Sequence, residues 1–237
     1  MTHYTIVAVP LVLVSLAIPV AADPITLLPS PTTVGRGETK VITYSYSNLL
    51  DGTFLLMNPE QLRAATEEAL GLWASFGQLR FVEVIDSGPA PSDFSYTAGP
   101  IPQIRIGHHP LSVAAHAYFP NADDGLGSDV HFDSGGAWNL NGGPWNFLEA
   151  ATHELGHAIG LQHELERIAI MNPFYPQQRF SGLGTSFLYA ADIEQLQSLY
   201  EPGRGSVTPL APTPEPGTLM LAAAGLALLA CRRRGWL

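Results

Sequence analysis

The chain has 237 residues, a formal net charge of −10 at neutral pH and a single cysteine, Cys231. Between Asp23 and Gly203 only seven Arg or Lys face 20 Asp or Glu. That balance excludes the basic footprint that nucleic-acid binding needs and argues against docking on anionic lipid, and a body without cysteine cannot be held by disulfides even in a compartment that permits them. At the N-terminus, the apolar run Tyr4 to Val20 and the small residues Val20-Ala21-Ala22 read as a secretory signal, Met1 to Ala22, removed by signal peptidase; a retained anchor is the alternative. Residues 23–40 read as a Pro-, Thr- and Gly-rich leader segment.

Val41 to Tyr46 is β-branched and aromatic, as a strand requires. Asn58-Pro59-Glu60 opens a helix, with Asn as N-cap, Pro at the first position and an acid in the first turn. Leu62, Ala65, Ala69, Leu72 and Trp73 fall on one stripe of it. Leu79 to Ile85 and Gln103 to Ile106 are two more strands. From Gly107 to Pro144 the chain is rich in Gly, His and Asp, which predicts loops and short strands tied by ions. A helix is expected over 146–162 and a last one over 191–200, with Ile193, Leu196, Leu199 and Tyr200 inward. Residues 204–216 read as a Pro-rich linker, leaving 23–203 as the folded domain.

His153-Glu154-Leu155-Gly156-His157-Ala158-Ile159-Gly160-Leu161-Gln162-His163 carries the chemistry. His153 and His157 are four apart, so a helix turns both imidazoles to one face, where they can share a metal. Glu154 lies beside them, able to reach a metal-bound water. Gly160 lets the helix stop and the chain turn, bringing His163 in as third ligand. Three protein ligands leave a fourth position for water, the mark of a catalytic zinc. Seven of the eight histidines lie between His108 and His163. Of the others, His116 and His131, with His108 or His109, could hold a second, closed zinc. Gly125, Gly127 and Asp129, with Asp123 and Asp124 nearby, could offer oxygens to calcium.

The tail runs Pro214-Glu215-Pro216, an apolar stretch from Gly217 to Cys231, then Arg232-Arg233-Arg234. Its 15 apolar residues are short for a bilayer core of ~30 Å, and the arginines would stay on the cytoplasmic side. This order resembles the PEP-CTERM sorting signal of Gram-negative bacteria, which implies export, processing by an exosortase, and release or anchoring at the cell surface or in extracellular matrix through residues 217–237. A plain membrane anchor is the alternative.

Residues 41 to 202 resemble the matrixin branch of the metzincins, the catalytic domains of matrix-metalloprotease type. The resemblance rests on Ile104-Arg105-Ile106, on Ala115-His116-Ala117 followed by Gly-x-Gly-x-Asp and His131-Phe132-Asp133, on the zinc helix, and on Ala169-Ile170-Met171-Asn172-Pro173. It implies an α+β, zincin-like domain: a twisted mixed β-sheet with three helices, the active-site helix carrying the zinc ligands. Implied in turn are a zinc endopeptidase with Glu154 as general base and Met171 as the floor under the zinc. Pro173 and Tyr175 would form a wall of the pocket after the scissile bond, with Ala114 and Ala115 on the edge strand that pairs with substrate. An apolar residue after the cut is expected. His116, His131 and one of His108 or His109 would bind structural zinc, and Gly125, Gly127 and Asp129 calcium. The chain departs from the family in three places. No acid lies between His109 and His116, Gln103 stands where the calcium site needs an acid, and Gly136 stands where a glutamate is usual. The competing function is a non-catalytic surface or matrix protein on the same scaffold. A monomer acting on protein or peptide substrates is expected, with matrix proteins, the chain itself and nutrient protein all open as substrates.

Overall fold

In a computed structural model of the chain, residues 39–54, 56–86, 88–92, 102–120, 126–174 and 179–210 are described. The signal segment, the sorting tail, Asp123, Asp124, Gly125 and Tyr175 lie outside them. Nine elements follow in order: β1 (Lys40–Ser45), α1 (Pro59–Ala74), β2 (Leu79–Glu83), β3 (Ile104–His109), β4 (Ala115–Ala117), β5 (Val130–Asp133), α2 (Phe147–Ala158), α3 (Ala190–Leu199) and β6 (Ser206–Thr208). The strands form one mixed sheet in the order β4-β5-β3-β1-β2-β6. All neighbours are parallel except β4, which runs antiparallel to β5. The α+β architecture with three helices matches the expectation.

Local chemistry accounts for these boundaries. Asn58 caps α1, accepting from Gln61 N while the Gln61 side chain accepts from Asn58 N, with Pro59 in the first turn. This reciprocal capping box satisfies two otherwise orphaned backbone donors. The helix buries Leu62, Ala65, Ala69, Leu70 and Trp73 completely, against the sheet and α2. Trp73 reaches across to donate its indole N–H to Thr152 O at 2.9 Å, so the largest side chain of α1 fixes the height of α2. Gly107 in β3 is a close-approach position, since a Cβ there would strike Pro91 and the Asn48 side chain. Asn48 bonds both the N–H and the C=O of His108, pinning the loop after β1 to the strand that leads to the site.

The folded unit extends beyond the expected boundary at Gly203. Ser206–Thr208 pairs in parallel with Arg80–Val82, and Leu210 N donates to Glu83 at 2.9 Å. The start of the expected linker is thus an edge strand, because Gly205 can lie directly against the backbone of Leu79 where any side chain would collide. Among the described residues no helix is long and apolar enough to cross a membrane.

Candidate active site

α2 begins at Asn146, whose side chain accepts from Glu149 N and donates to Phe180 O. Its whole inner face is buried, including His153, Glu154 and His157. The helix ends in paired reverse hydrogen bonds: Leu161 N to Gly156 O at 2.9 Å and Gly160 N to His157 O at 2.8 Å. That six-to-one and five-to-two pattern is a Schellman cap, which needs a left-handed residue; Gly160 supplies it at φ +101°. The reversal returns His163 to the helix face. Tyr200 donates its hydroxyl to Ile159 O at 2.8 Å and holds the cap from the far side.

Three imidazoles converge there. His153 Nε2 lies 3.1 Å from His157 Nε2 and 3.3 Å from His163 Nε2. Zinc bound tetrahedrally by nitrogens at 2.0–2.1 Å places its ligands roughly 3.3 Å apart, so this spacing fits the ion. The other ring nitrogens are engaged: His153 Nδ1 donates to Ile170 O and His157 Nδ1 to Leu161 O, each at 2.8 Å. Those bonds fix the tautomer that turns Nε2 inward. Burial first, then the charge of neighbouring imidazole, drives the His153 pKa well down. Burial lowers that of His157 to about 4. Both rings are therefore neutral at pH 7, the state a metal requires.

Glu154, the next residue, is 2% exposed, and its Oε2 is buried without a hydrogen-bond partner. Burial alone pushes its carboxyl up to about 8. An orphaned buried carboxylate oxygen is costly unless something else meets it. It lines one pocket together with His153, Val113, Ala114, Ala115, Trp138, Pro144, Ala150, Asn172, Pro173 and the Glu149–Arg179 pair. That pair is mostly buried, with Arg179 Nε 2.9 Å from Glu149 Oε1.

Met171 is 1% exposed and packs against the helix at Gly156. Its sulfur fills the space where a side chain at Gly156 would sit. The turn that carries it is held by Asp192 at the start of α3, which accepts from Ile170 N at 2.8 Å, Met171 N at 3.0 Å and Tyr189 N at 3.0 Å. Neither Asp192 nor Gly156 was singled out in the sequence. The Asp sits three residues after the helix N-cap, a position that signals capping but not what else it clamps.

A second group of histidines gathers on β3, β4 and β5. His116 faces His131 directly across the antiparallel pair, and their ring centroids are 4.9 Å apart. His109 Nε2 is 3.1 Å from His131 Nδ1. His108, its neighbour on β3, points the other way, against Phe54 and within 3.3 Å of Asp51. The group is looser than the first: among the described residues, His153, His157 and His163 alone form a set whose ligand atoms lie within 4.8 Å of one another. Of the residues expected to bind calcium, Asp129 is buried beside the Arg105 guanidinium, Nη1 to Oδ2 3.5 Å, with His131 Nε2 at 3.8 Å. Gly127 is in the turn before it.

Comparison with known proteins decides the family. Residues 36–201 match the family described as Matrixin. The chain belongs to the matrixin family. Matrixins are zinc metalloendopeptidases, and the convergent triad and the orphaned carboxylate fit that class. Residues 212–234 match the PEP-CTERM protein-sorting motif, so this matrixin carries a tail for export and surface sorting. Similar proteins include matrix metalloproteinase-20 of Homo sapiens, 34% identical over 146 residues, 62% of this chain and 29% of that protein. Interstitial collagenase of Sus scrofa is 32% identical over 181 residues, 76% of this chain and 36% of the other. Stromelysin-3 of Rattus norvegicus is 33% identical over 187 residues, covering 76% and 34%. The chain thus spans about a third of the length of these relatives.

Proposed function

We propose that this chain is an exported, zinc-dependent endopeptidase that cuts extended protein segments at the cell surface. The observation that carries the reading is the buried, unpartnered Glu154 Oε2 in the same pocket as His153. His153, His157 and His163 would hold the zinc, which when bound acidifies water toward a pKa of ~7 and polarises a carbonyl. Glu154 takes the proton of the attacking water and delivers it to the leaving amine. β4 is the last strand of the sheet, so its outer edge can pair with the main chain of an extended peptide near Ala114 and Ala115, a mode that tolerates many side chains. Pocket walls at Val113, Ala150 and Pro173 fit an apolar residue after the cut. Glu149 and Arg179 neutralise each other within that pocket.

The gathered rings of His109, His116 and His131 support a second, structural zinc, with His109 rather than His108 completing the set. Metal content of two zincs per chain, falling to one in His116→Ala, is the expected result. An exosortase is the proposed processor of the tail, and signal peptidase of Met1 to Ala22.

The deciding test is Glu154→Gln, which keeps the shape and removes the base. The variant should retain its zinc and lose about 10²–10⁴-fold in casein hydrolysis. Parental turnover in that variant would overturn the role of Glu154. A parent fully loaded with zinc yet inert toward a peptide library would instead favour a binding protein on the same scaffold.

A further inference from the structure

The corner where a matrixin calcium is expected is already occupied by a positive charge of the chain itself. Arg105 on β3 is 0% exposed. Its Nε donates to Asp86 Oδ2 at 2.6 Å, its Nη1 lies 3.5 Å from Asp129 Oδ2, and its Nη2 donates to Ser47 Oγ at 3.1 Å and to Pro89 O. One guanidinium therefore joins β3, the loop after β1, the loop after β2 and the start of β5.

Calcium takes six to eight oxygens and draws its affinity from carboxylates. At this corner the first carboxylate, Asp129, faces the Arg105 guanidinium. The second is missing, because Gln103 stands in its place. The Gln103 amide oxygen is turned to β1, accepting from Thr43 N at 3.0 Å, and Gln103 N donates back to Thr43 Oγ1 at 3.1 Å. The Asp129 carbonyl is spent on Tyr118 N at 2.9 Å. A divalent ion on Asp129 would sit within a few ångströms of a buried, permanently charged guanidinium, where like charges repel strongly because water does not screen them. A buried carboxylate needs a cation or hydrogen-bond donors, and here Arg105 supplies the charge, with His131 Nε2 at 3.8 Å beside it.

We infer that Arg105 is the resident cation of this corner, holding Asp86 and Asp129 in place of a metal, and that Asp129 binds no calcium. Among the described residues, Asp129 and Gln103 do not offer the charged oxygens the ion needs. The inference concerns folding, so it stands apart from the proteolytic reading.

Melting of the zinc-loaded, calcium-depleted full-length chain, with and without millimolar calcium chloride, tests it together with Asp129→Asn in two backgrounds. The parent's melting temperature should not rise with calcium through Asp129. Asp129→Asn should lower the parent's melting temperature, because Arg105 loses a partner. The same change should cost Arg105→Met less than it costs the parent, because His131 alone then faces the carboxylate. A calcium-driven rise in the parent that Asp129→Asn abolishes would overturn the inference. So would an Asp129→Asn effect of the same sign and size in both backgrounds. A calcium effect that survives Asp129→Asn belongs to another site and agrees with the assignment. Should Arg105→Met fail to fold, the calcium comparison between the parent and Asp129→Asn still decides.

Discussion

Gly156 occupies the second of the two free positions between Glu154 and His157 of the motif, yet here it is not free. A Cβ there would collide with Met171 Sδ and come within 3.0 Å of Trp73 Cζ2, so a side chain fits only if the buried Met171 moves. Gly156→Ala should cost about 1–3 kcal/mol, as forced overpacking does, and weaken zinc binding, since Ile170 O beside Met171 orients His153. Thermal melting and zinc competition would show both losses; an unchanged zinc affinity would mean Met171 yields without moving His153. Asp192 acts on the same turn from the opposite side. Asp192→Asn keeps the volume but can turn an amide N–H toward backbone N–H groups that need an acceptor, a loss of about 1–3 kcal/mol. These two residues were illegible in the sequence for the same reason. Glycine and aspartate each have many local uses, and what fixes them here is contact with segments 15 or more residues away. The triad and Glu154 were legible because their spacing is local and metal chemistry prescribes the residue types.

Among the elements, α2 starts within one residue of the expected 146 and turns His153 and His157 to one side, but it ends earlier than the expected 162. The helix stops at Ala158, and Gly160 at φ +101° reverses the chain in time for His163 to return. Gly160→Ala should cost about 1–2 kcal/mol, the strain of a left-handed L-residue. It should also loosen zinc more than it loosens the fold, because His163 hangs from that turn while His153 and His157 do not. A zinc-competition titration beside a melting curve separates the two; equal losses in both would contradict this division. On β3 the sequence could not choose between His108 and His109, since adjacent strand residues face opposite sides and only the pairing with β5 tells which side is which. β6 lies within the expected linker because three residues with one apolar side chain carry no periodic signal. Its pairing depends on Gly205 passing against Leu79 O. Gly205→Val should therefore release β6 and expose Leu210 N to rapid hydrogen exchange while leaving peptide hydrolysis intact.

For the molecule as a whole, the acidic composition seen in the sequence becomes a question of which carboxylates the fold keeps charged. Burial alone would raise the Asp86 pKa, but the Arg105 hydrogen bond, the Gly88 backbone N–H, the guanidinium charge and the Ser45 hydroxyl overrule it and hold it low. A carboxyl whose folded pKa lies below its unfolded value of about 3.9 contributes stability that is complete above that value and is lost as pH falls through the folded one. Asp192 has the opposite sign: burial raises its pKa despite three backbone donors, so its folded form holds a proton more tightly and acid favours the fold there. The sequence could give only the sum of charges, because which carboxylate is depressed depends on Arg105 reaching the loop at Asp86 from another strand. Asp86→Asn should thus be less stable than the parent at pH 7 and should lose less of its remaining stability between about pH 5 and pH 3. Urea midpoints across that range measure both. Parallel acid limbs for the two proteins would show that the Asp86 carboxyl titrates alike folded and unfolded, and that the Arg105 bond does not hold its charge.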